Sequence, residues 1–234
     1  MNFKDQDKKK AITFSYDDGV TQDIRLIEML NKYGLKCTFN LNSGLLAQKG
    51  FLIRNDERIS HYKIHPDHVK HFYQGHEVAV HTLTHSRLTL CDTDEVIRQV
   101  ETDRLNLSEM VGYEVVGMAY PCGGVNNDDR VAEIIKQHTG VKYSRTITTT
   151  DSFDIQENLF RFNPTVFHLD FDKMMALGRE FIELETDTPK IFYIWGHSFE
   201  MDYALDNWAK LDEFFKLISN RNDIFYGTNK EVLL

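Results

Sequence analysis

A chain of 234 residues, 41% of them hydrophobic, can bury the core of one large domain or two small ones. Its formal net charge of -9 argues against a nucleic-acid surface or a polybasic membrane patch. Met1 to Lys10 is charged and has no apolar core, so no signal peptide is expected, and no apolar run approaches the ~18 residues that span a bilayer. The expectation is a cytoplasmic protein with neither a membrane nor a nucleic acid as partner. Cys37, Cys91 and Cys122 are too scattered for a disulfide framework or a paired-cysteine metal site.

In chain order, Ala11–Tyr16 reads as a strand ending in Asp17-Asp18-Gly19. Thr21 is placed to cap a helix whose apolar positions Ile24, Ile27, Leu30 and Tyr33 recur every three residues, with Gly34 as its stop. Cys37–Leu41 reads as a second strand, completing a βαβ unit. Residues 43–65 resist assignment. A short helix is expected within Ser43–Gly50, and the rest is long enough to form part of a pocket wall. Pro66 opens a two-turn helix ending at Gly75. His61, His65, His68 and His71 fall at helical spacing in a polar segment and read as a solvated face.

Glu77–Val80 is a third strand ending in His81-Thr82-Leu83-Thr84-His85. Asp92 with Glu95 caps a long helix that stops near Gly112. Val115–Ala119 is a fourth strand, Asp128 or Asp129 begins a helix closed by Gly140, and Val141–Arg145 is a fifth strand. After a polar loop, Phe160–Phe162 is expected as a short sixth strand, followed by a helix through Met174, Leu177, Phe181 and Leu184. Lys190–Trp195 is a seventh strand ending in Gly196-His197, a helix runs from Asp206, and Ile224–Tyr226 is a last short strand.

Strand and helix alternate throughout, with no linker or repeat, which predicts one α/β domain over residues 1–234. Polar residues gather after strand ends from first to last. A (β/α) barrel with seven or eight mostly parallel strands collects them on one face, whereas an open sheet collects them only at its switch point. No glycine-rich phosphate loop is present. Adjacent carboxylates such as Asp17 and Asp18 both stay ionised only beside positive charge, and a divalent cation supplies it. His81 and His85, four apart, can point two imidazoles at one centre, and two histidines with a carboxylate form a common open metal site.

With these residues in view, the chain resembles the polysaccharide deacetylase family, also called NodB-homology or carbohydrate esterase family 4 proteins. Thr13-Phe14-Ser15-Tyr16-Asp17-Asp18-Gly19 matches TFDDG with two residues inserted after Phe14, and His81-Thr82-Leu83-Thr84-His85 matches H[ST]xxH. Gly75-His76-Glu77-Val78 and Lys36-Cys37-Thr38-Phe39 are also family-like, and the resemblance extends to Trp195-Gly196-His197. It implies a distorted (β/α) barrel. It also implies Asp17 as general base, Asp18, His81 and His85 as ligands of one divalent metal ion, zinc being expected, and His197 as general acid. The third motif, roughly RPPYG, is matched only at Pro121 and Gly123, with Ala119 at the arginine position and Cys122 at the aromatic one. The fourth motif, an Asp with a Trp, has no clear match, although Asp151 and Asp154 lie in its region.

The missing arginine leaves Asp17 without the partner that the family supplies. Arg145 stands at a strand end on the functional face, and a guanidinium can hold a carboxylate through two hydrogen bonds. Arg145 is therefore expected to contact Asp17, with Arg161 as the alternative. The implied chemistry is metal-dependent removal of an acyl group, N-acetyl above all, from a sugar or small carbohydrate. The oxyanion would be met by the metal and a backbone N–H near Cys122. Two alternatives stand beside it: hydrolysis of a non-sugar C–N bond, and a catalytically inactive binding module of the same fold.

Overall fold

The computed structural model describes residues 8–234, so the charged N-terminal stretch considered above lies mostly outside the described residues. Its centre is β1 (Lys10–Asp17), buried along its whole length. β9 (Lys190–Gly196) runs parallel to β1 along one edge, from Lys10 to Tyr16. Two strands share the other edge: β10 (Ile224–Tyr226) along Lys10–Ile12 and β2 (Cys37–Leu41) along Phe14–Asp17. Outward from β2 come β5 (Glu77–Val80), β6 (Gly117–Ala119) and β7 (Tyr143–Arg145), and β8 (Val166–Phe167) flanks β9. All these pairings are parallel, and the sheet curls into a distorted (β/α) barrel.

The strands obey a period of two. Ile12, Phe14 and Tyr16 of β1 face outward into the main apolar core, with Phe39 and Leu41 of β2 and Phe192 and Ile194 of β9. Helices cover that face: α1 (Asp23–Lys32), α3 (Thr93–Val111), α4 (Asp129–His138), α5 (Phe171–Glu183) and α6 (Asn207–Ile218). Phe14 meets Phe214 and Phe215 of α6 edge-on, with centroids 6.5 and 5.2 Å apart. Full burial of such a ring is worth about 1.5–3 kcal/mol.

The alternate residues point inside, and there the barrel is polar. Near its floor, Asn229 of α7 (Asn229–Leu233) accepts from Thr13 Oγ1 at 2.8 Å and donates to the Tyr193 hydroxyl at 2.5 Å. Buried Glu77 accepts from Thr38 at 2.7 Å and from Tyr143 at 2.9 Å, so its burial is compensated by donors. The same inward rows continue upward to Ser15, Asn40 and Arg145, and then to the site.

The structure departs from the expected elements in four places. Residues 43–65 hold only a 3₁₀ turn at Ser43–Leu45, followed by an antiparallel hairpin of β3 (Lys49–Arg54) and β4 (Glu57–Tyr62). Asn55 and Asp56, with φ of 51° and 62°, make its tight turn. His61 therefore lies on β4, away from α2 (Pro66–Phe72), which His65 caps and which carries His68 and His71. The expected strand at Phe160–Phe162 is a 3₁₀ turn at Leu159–Arg161, with Phe162 making one bridge to Arg145, and the strand beside β9 is β8 instead. Thr21 does not cap α1: the residue before that helix is Gln22, and no side chain caps it. α7 was not foreseen. By contrast, Asp92 caps α3 through the Glu95 N–H at 2.9 Å, and Asp128 caps α4 through that of Val131 at 2.7 Å. Among the described residues, no helix is long and apolar enough to cross a membrane.

Candidate active site

Strand alternation brings Asp17 into the barrel above Ser15. Asp18 leaves the strand at a φ of 84° and so points elsewhere. His81 follows β5, and its backbone N–H donates to the Leu41 carbonyl at 2.8 Å and to Asp103 at 3.2 Å. Its Nδ1 lies 2.9 Å from the Ala119 carbonyl, which sets Nδ1–H as the donor and leaves Nε2 free to ligate. Thr82 and His85 adopt φ of 65° and 58°, which turns the segment back until the two imidazoles are 5.1 Å apart. Asn42 pins this turn by donating to the carbonyls of His81 and Thr82 at 2.5 and 2.9 Å.

One ligand atom each from Asp18, His81 and His85 lies within 4.8 Å of the others, close enough for a single cation to touch all three. Burial pushes His81 down to about 4 and also lowers His85, while Asp18 is held well below the usual carboxylate range by His61 and Lys63 against its desolvation. Neutral imidazoles and an ionised carboxylate are the forms a metal needs. The donor set fits a divalent cation.

The acid–base groups lie beside this triad. The Arg145 guanidinium, fully buried, donates from Nη2 to both oxygens of Asp17 at 2.6 and 2.5 Å. It also donates to Ser15 at 3.2 Å and to the Thr146 carbonyl at 3.0 Å, and lies over the Trp195 ring at 4.7 Å. Asn40 adds a third hydrogen bond to Asp17 at 2.8 Å. Burial works to raise the Asp17 pKa, but Arg145, with His81 and His197, more than offsets it and holds the group below its ordinary value. Arg161 lies elsewhere, paired with Asp129 at 2.5 Å.

His197, at the end of β9, places Nε2 3.9 Å from Asp17, and His81 Nε2 lies 4.0 Å from the same oxygen. Glu200, three residues on in a 3₁₀ turn (Ser198–Tyr203), accepts from both the backbone N–H and Nδ1 of His197 at 3.0 Å. Burial opposes the charge on His197, but Glu200, with Asp17 and Asp18, raises its pKa to about 9. Asp151 and Asp154 are surface residues paired with Lys173 and Lys190, away from His197.

The β3–β4 hairpin walls the entrance. It is docked by Thr21 N–H to the Tyr62 carbonyl at 2.8 Å, by Gln22 to the Ser60 carbonyl at 2.8 Å, and by the His61 ring against Phe199 at 4.9 Å. A cavity of about 370 Å³ beside Asp18 and His85 is lined by Leu45, Gln48, Leu52 and Phe199, a size suited to a small ligand. Lys63 donates to the Asp18 backbone carbonyl at 2.6 Å and to Oδ1 at 3.1 Å, and His61 lies 3.2 Å from Oδ2.

Comparison with known proteins gives this geometry a lineage. The sequence profile of the family described as polysaccharide deacetylase matches residues 4–143. The chain belongs to the polysaccharide deacetylase family. It is 28% identical over 129 residues to the peptidoglycan-N-acetylglucosamine deacetylase PgdA of Listeria monocytogenes, over 54% of this chain and 24% of that protein. It thus spans about a quarter of the length of these curated relatives. Among solved structures, a family 4 carbohydrate esterase from Streptomyces lividans shares the fold with a TM-score of 0.57 at 15% identity, over 94% of this chain and 92% of that one. A mutant of the CE4 family pseudoenzyme BA3943 with restored enzymatic activity also has a TM-score of 0.57, at 17% identity over 97% and 68% of the two chains.

Against the polysaccharide deacetylase pattern, the chain keeps the first two motifs in place and reroutes the partners of the others. The Asp17 partner comes from β7 instead of the segment around Ala119, where the backbone carbonyl instead holds His81. Cys122, in the third motif, rests its Sγ 3.8 Å from His85 Nδ1 and adopts a φ of 70°. Sequence reading passed over Glu200, His168, Asp103, Asn42, His61 and Lys63 as functional groups. Only Glu200 carried a local signal: an acid three residues after His197 at the start of a turn is a capping-box spacing.

Proposed function

We propose that this protein is a metal-dependent deacetylase that hydrolyses an N-acetyl group on an amino sugar or a small carbohydrate. One observation carries the reading: a three-ligand cluster of Asp18, His81 and His85 lies beside an arginine-held carboxylate and a glutamate-held imidazole, Asp17 and His197, which face one another. Asp18, His81 and His85 would hold the cation, with zinc the natural fit to two imidazoles and one carboxylate. When bound, the cation supplies Lewis acidity toward the acyl carbonyl and the attacking water.

The remaining work falls to the chain. Asp17 is kept ionised by Arg145 and takes a proton from the attacking water at its open Oδ2 edge, toward His81 and His197. His197 is protonated at neutral pH, keeps Nδ1–H on Glu200 and gives the Nε2 proton to the departing amine. The C–N bond breaks, the new C–O bond remains in acetate, and the amine leaves neutral. Membership of the family and the named activity of PgdA support an amino-sugar substrate. The cavity beside Asp18 and His85 is where it would sit.

The test is acetate release from N-acetylglucosamine oligomers, together with metal content. Metal-dependent acetate release supports the reading, and turnover of cyclic amides without acetamides overturns the substrate. A second reading, an inactive binding module, draws on one observation: Lys63 places a cationic group 3.1 Å from Asp18, where it competes with a metal. Sugar binding without metal uptake or acetate release would favour it.

A further inference from the structure

Behind His197 lies a second histidine. His168 follows β8 and is fully buried, and both its ring nitrogens have partners. Nε2 is 2.7 Å from Glu200 Oε2, the same oxygen that receives both N–H groups of His197, and Nδ1 is 3.1 Å from the Tyr16 hydroxyl. Burial lowers the pKa of His168, so its ring is neutral, with one donor and one acceptor nitrogen. Glu200 is an acceptor, so Nε2–H must donate to it, and Nδ1 accepts from Tyr16. The tautomer is fixed from both ends.

The surroundings are shaped to hold this ring. The Tyr16 ring meets it edge-on at 5.2 Å, and its backbone N–H donates to the Trp195 carbonyl at 2.9 Å. Gly196, the residue before His197, has no room for a side chain: a Cβ there would come within 2.2 Å of the His168 ring. The glycine in Trp195-Gly196-His197 is thus dictated by His168. Glu200 sits on a short 3₁₀ turn, and His168 brings its carboxylate a donor from outside that turn.

We propose that His168, backed by Tyr16, is a positioning residue for the general acid: it anchors Glu200 so that one carboxylate oxygen orients His197 with Nε2 toward Asp17. The proposal rests on the assignment of His197 as the acid. The titratable groups facing His197 are Glu200 on its own turn, Asp17 and Asp18 at the end of β1, His85 after β5 and His168 after β8. Among the latter four, His168 alone acts through Glu200.

The test compares His168→Leu, which keeps volume and removes the donor, with His168→Gln, whose amide N–H can still reach Glu200. In His168→Leu, kcat on an N-acetyl sugar should fall roughly tenfold or more, a part of the roughly 10²–10⁴-fold that a general acid contributes, with KM and metal content unchanged. An activated ester, whose leaving group needs no proton, should lose much less, and His168→Gln should recover most of the amide activity. Imidazole NMR of the metal-free protein supplies a readout that needs no turnover. His197 should titrate near 9 in the parent protein and move toward its ordinary 6.5 in His168→Leu. Should His168→Leu not fold, Glu200→Gln must produce the same downward shift. An unmoved His197 titration, equal losses on ester and amide, or no rescue in folded His168→Gln overturns the proposal. A normal NMR response without deacetylation by the parent protein would instead count against the proposed function and leave the positioning intact.

Discussion

The metal half and the acid–base half of this site are built by different rules. Asp18, His81 and His85 come from two short segments at the ends of β1 and β5, and their geometry is set by backbone turns at Asp18, Thr82 and His85. Asp17 and His197 rely instead on side-chain partners: Asp17 on Arg145 of the distant strand β7, His197 on Glu200 of its own turn after β9. A cation demands fixed distances from several ligands at once. A carboxylate demands only a well-placed positive donor, and any inward residue at a strand end can provide one. The second half can therefore change its suppliers while the first cannot.

That contrast can be broken at the metal half first. Single replacements His81→Ala and His85→Ala should each remove most bound metal and all measurable deacetylation, read by elemental analysis and acetate release; unchanged metal content would remove the cluster from consideration. Asp17→Asn comes next: metal retained, and turnover reduced roughly a hundredfold or more, because an amide cannot take the proton. Co-loss of the metal would show that the two halves are one unit.

Arg145→Lys sharpens the comparison on the acid–base side. It should keep metal and lose about tenfold or more in kcat, because an ammonium cannot reproduce the guanidinium's fixed set of donors. The Asp17 pKa is lowered in the folded protein, so the stability that its ionisation contributes is present above its unfolded value near 3.8 and is lost as pH falls through the folded value. With lysine in place of arginine that loss, and the acidic limb of activity, should begin at higher pH. Stability and rate profiles superimposable on those of the parent would show that Arg145 is not what holds Asp17.

The smallest effects are expected at Asp151 and Asp154. Both are surface-paired with lysines, and exchange to Asn should leave stability nearly unchanged and the alkaline limb of the rate profile where it was. A displaced limb would restore them as partners of His197.

The sequence made some of this legible and concealed the rest for physical reasons. β1, β2 and β5 are fully buried strands rich in strand formers, and α3 and α4 carry side-chain caps, so their signals are local. The position of Arg145 could be inferred because the family resemblance left Asp17 without its arginine at Ala119 and Arg145 stood at a strand end on the functional face. The β3–β4 hairpin stayed hidden because most of its residues are only half-buried or exposed, which blurs the alternation on which strand recognition depends. β8 has two residues, too few to show any period. His168 is invisible for another reason: its partners Tyr16 and Glu200 lie 152 and 32 residues away, and nothing next to it in sequence announces either.

The arrangement around β1 has a consequence for how the chain comes together. The strand carrying Asp17 and Asp18 is made early, yet its neighbours β9 and β10 and the Asn229 contact to Thr13 come from residues 190–229. On a ribosome, β1 waits for almost the whole chain before its edges are filled. Contacts of such long sequence separation slow folding, because loop closure must precede the reward. A nascent chain stalled before β9 would carry all three candidate metal ligands and no barrel to hold them, with one edge of its central strand open to pairing with a neighbour.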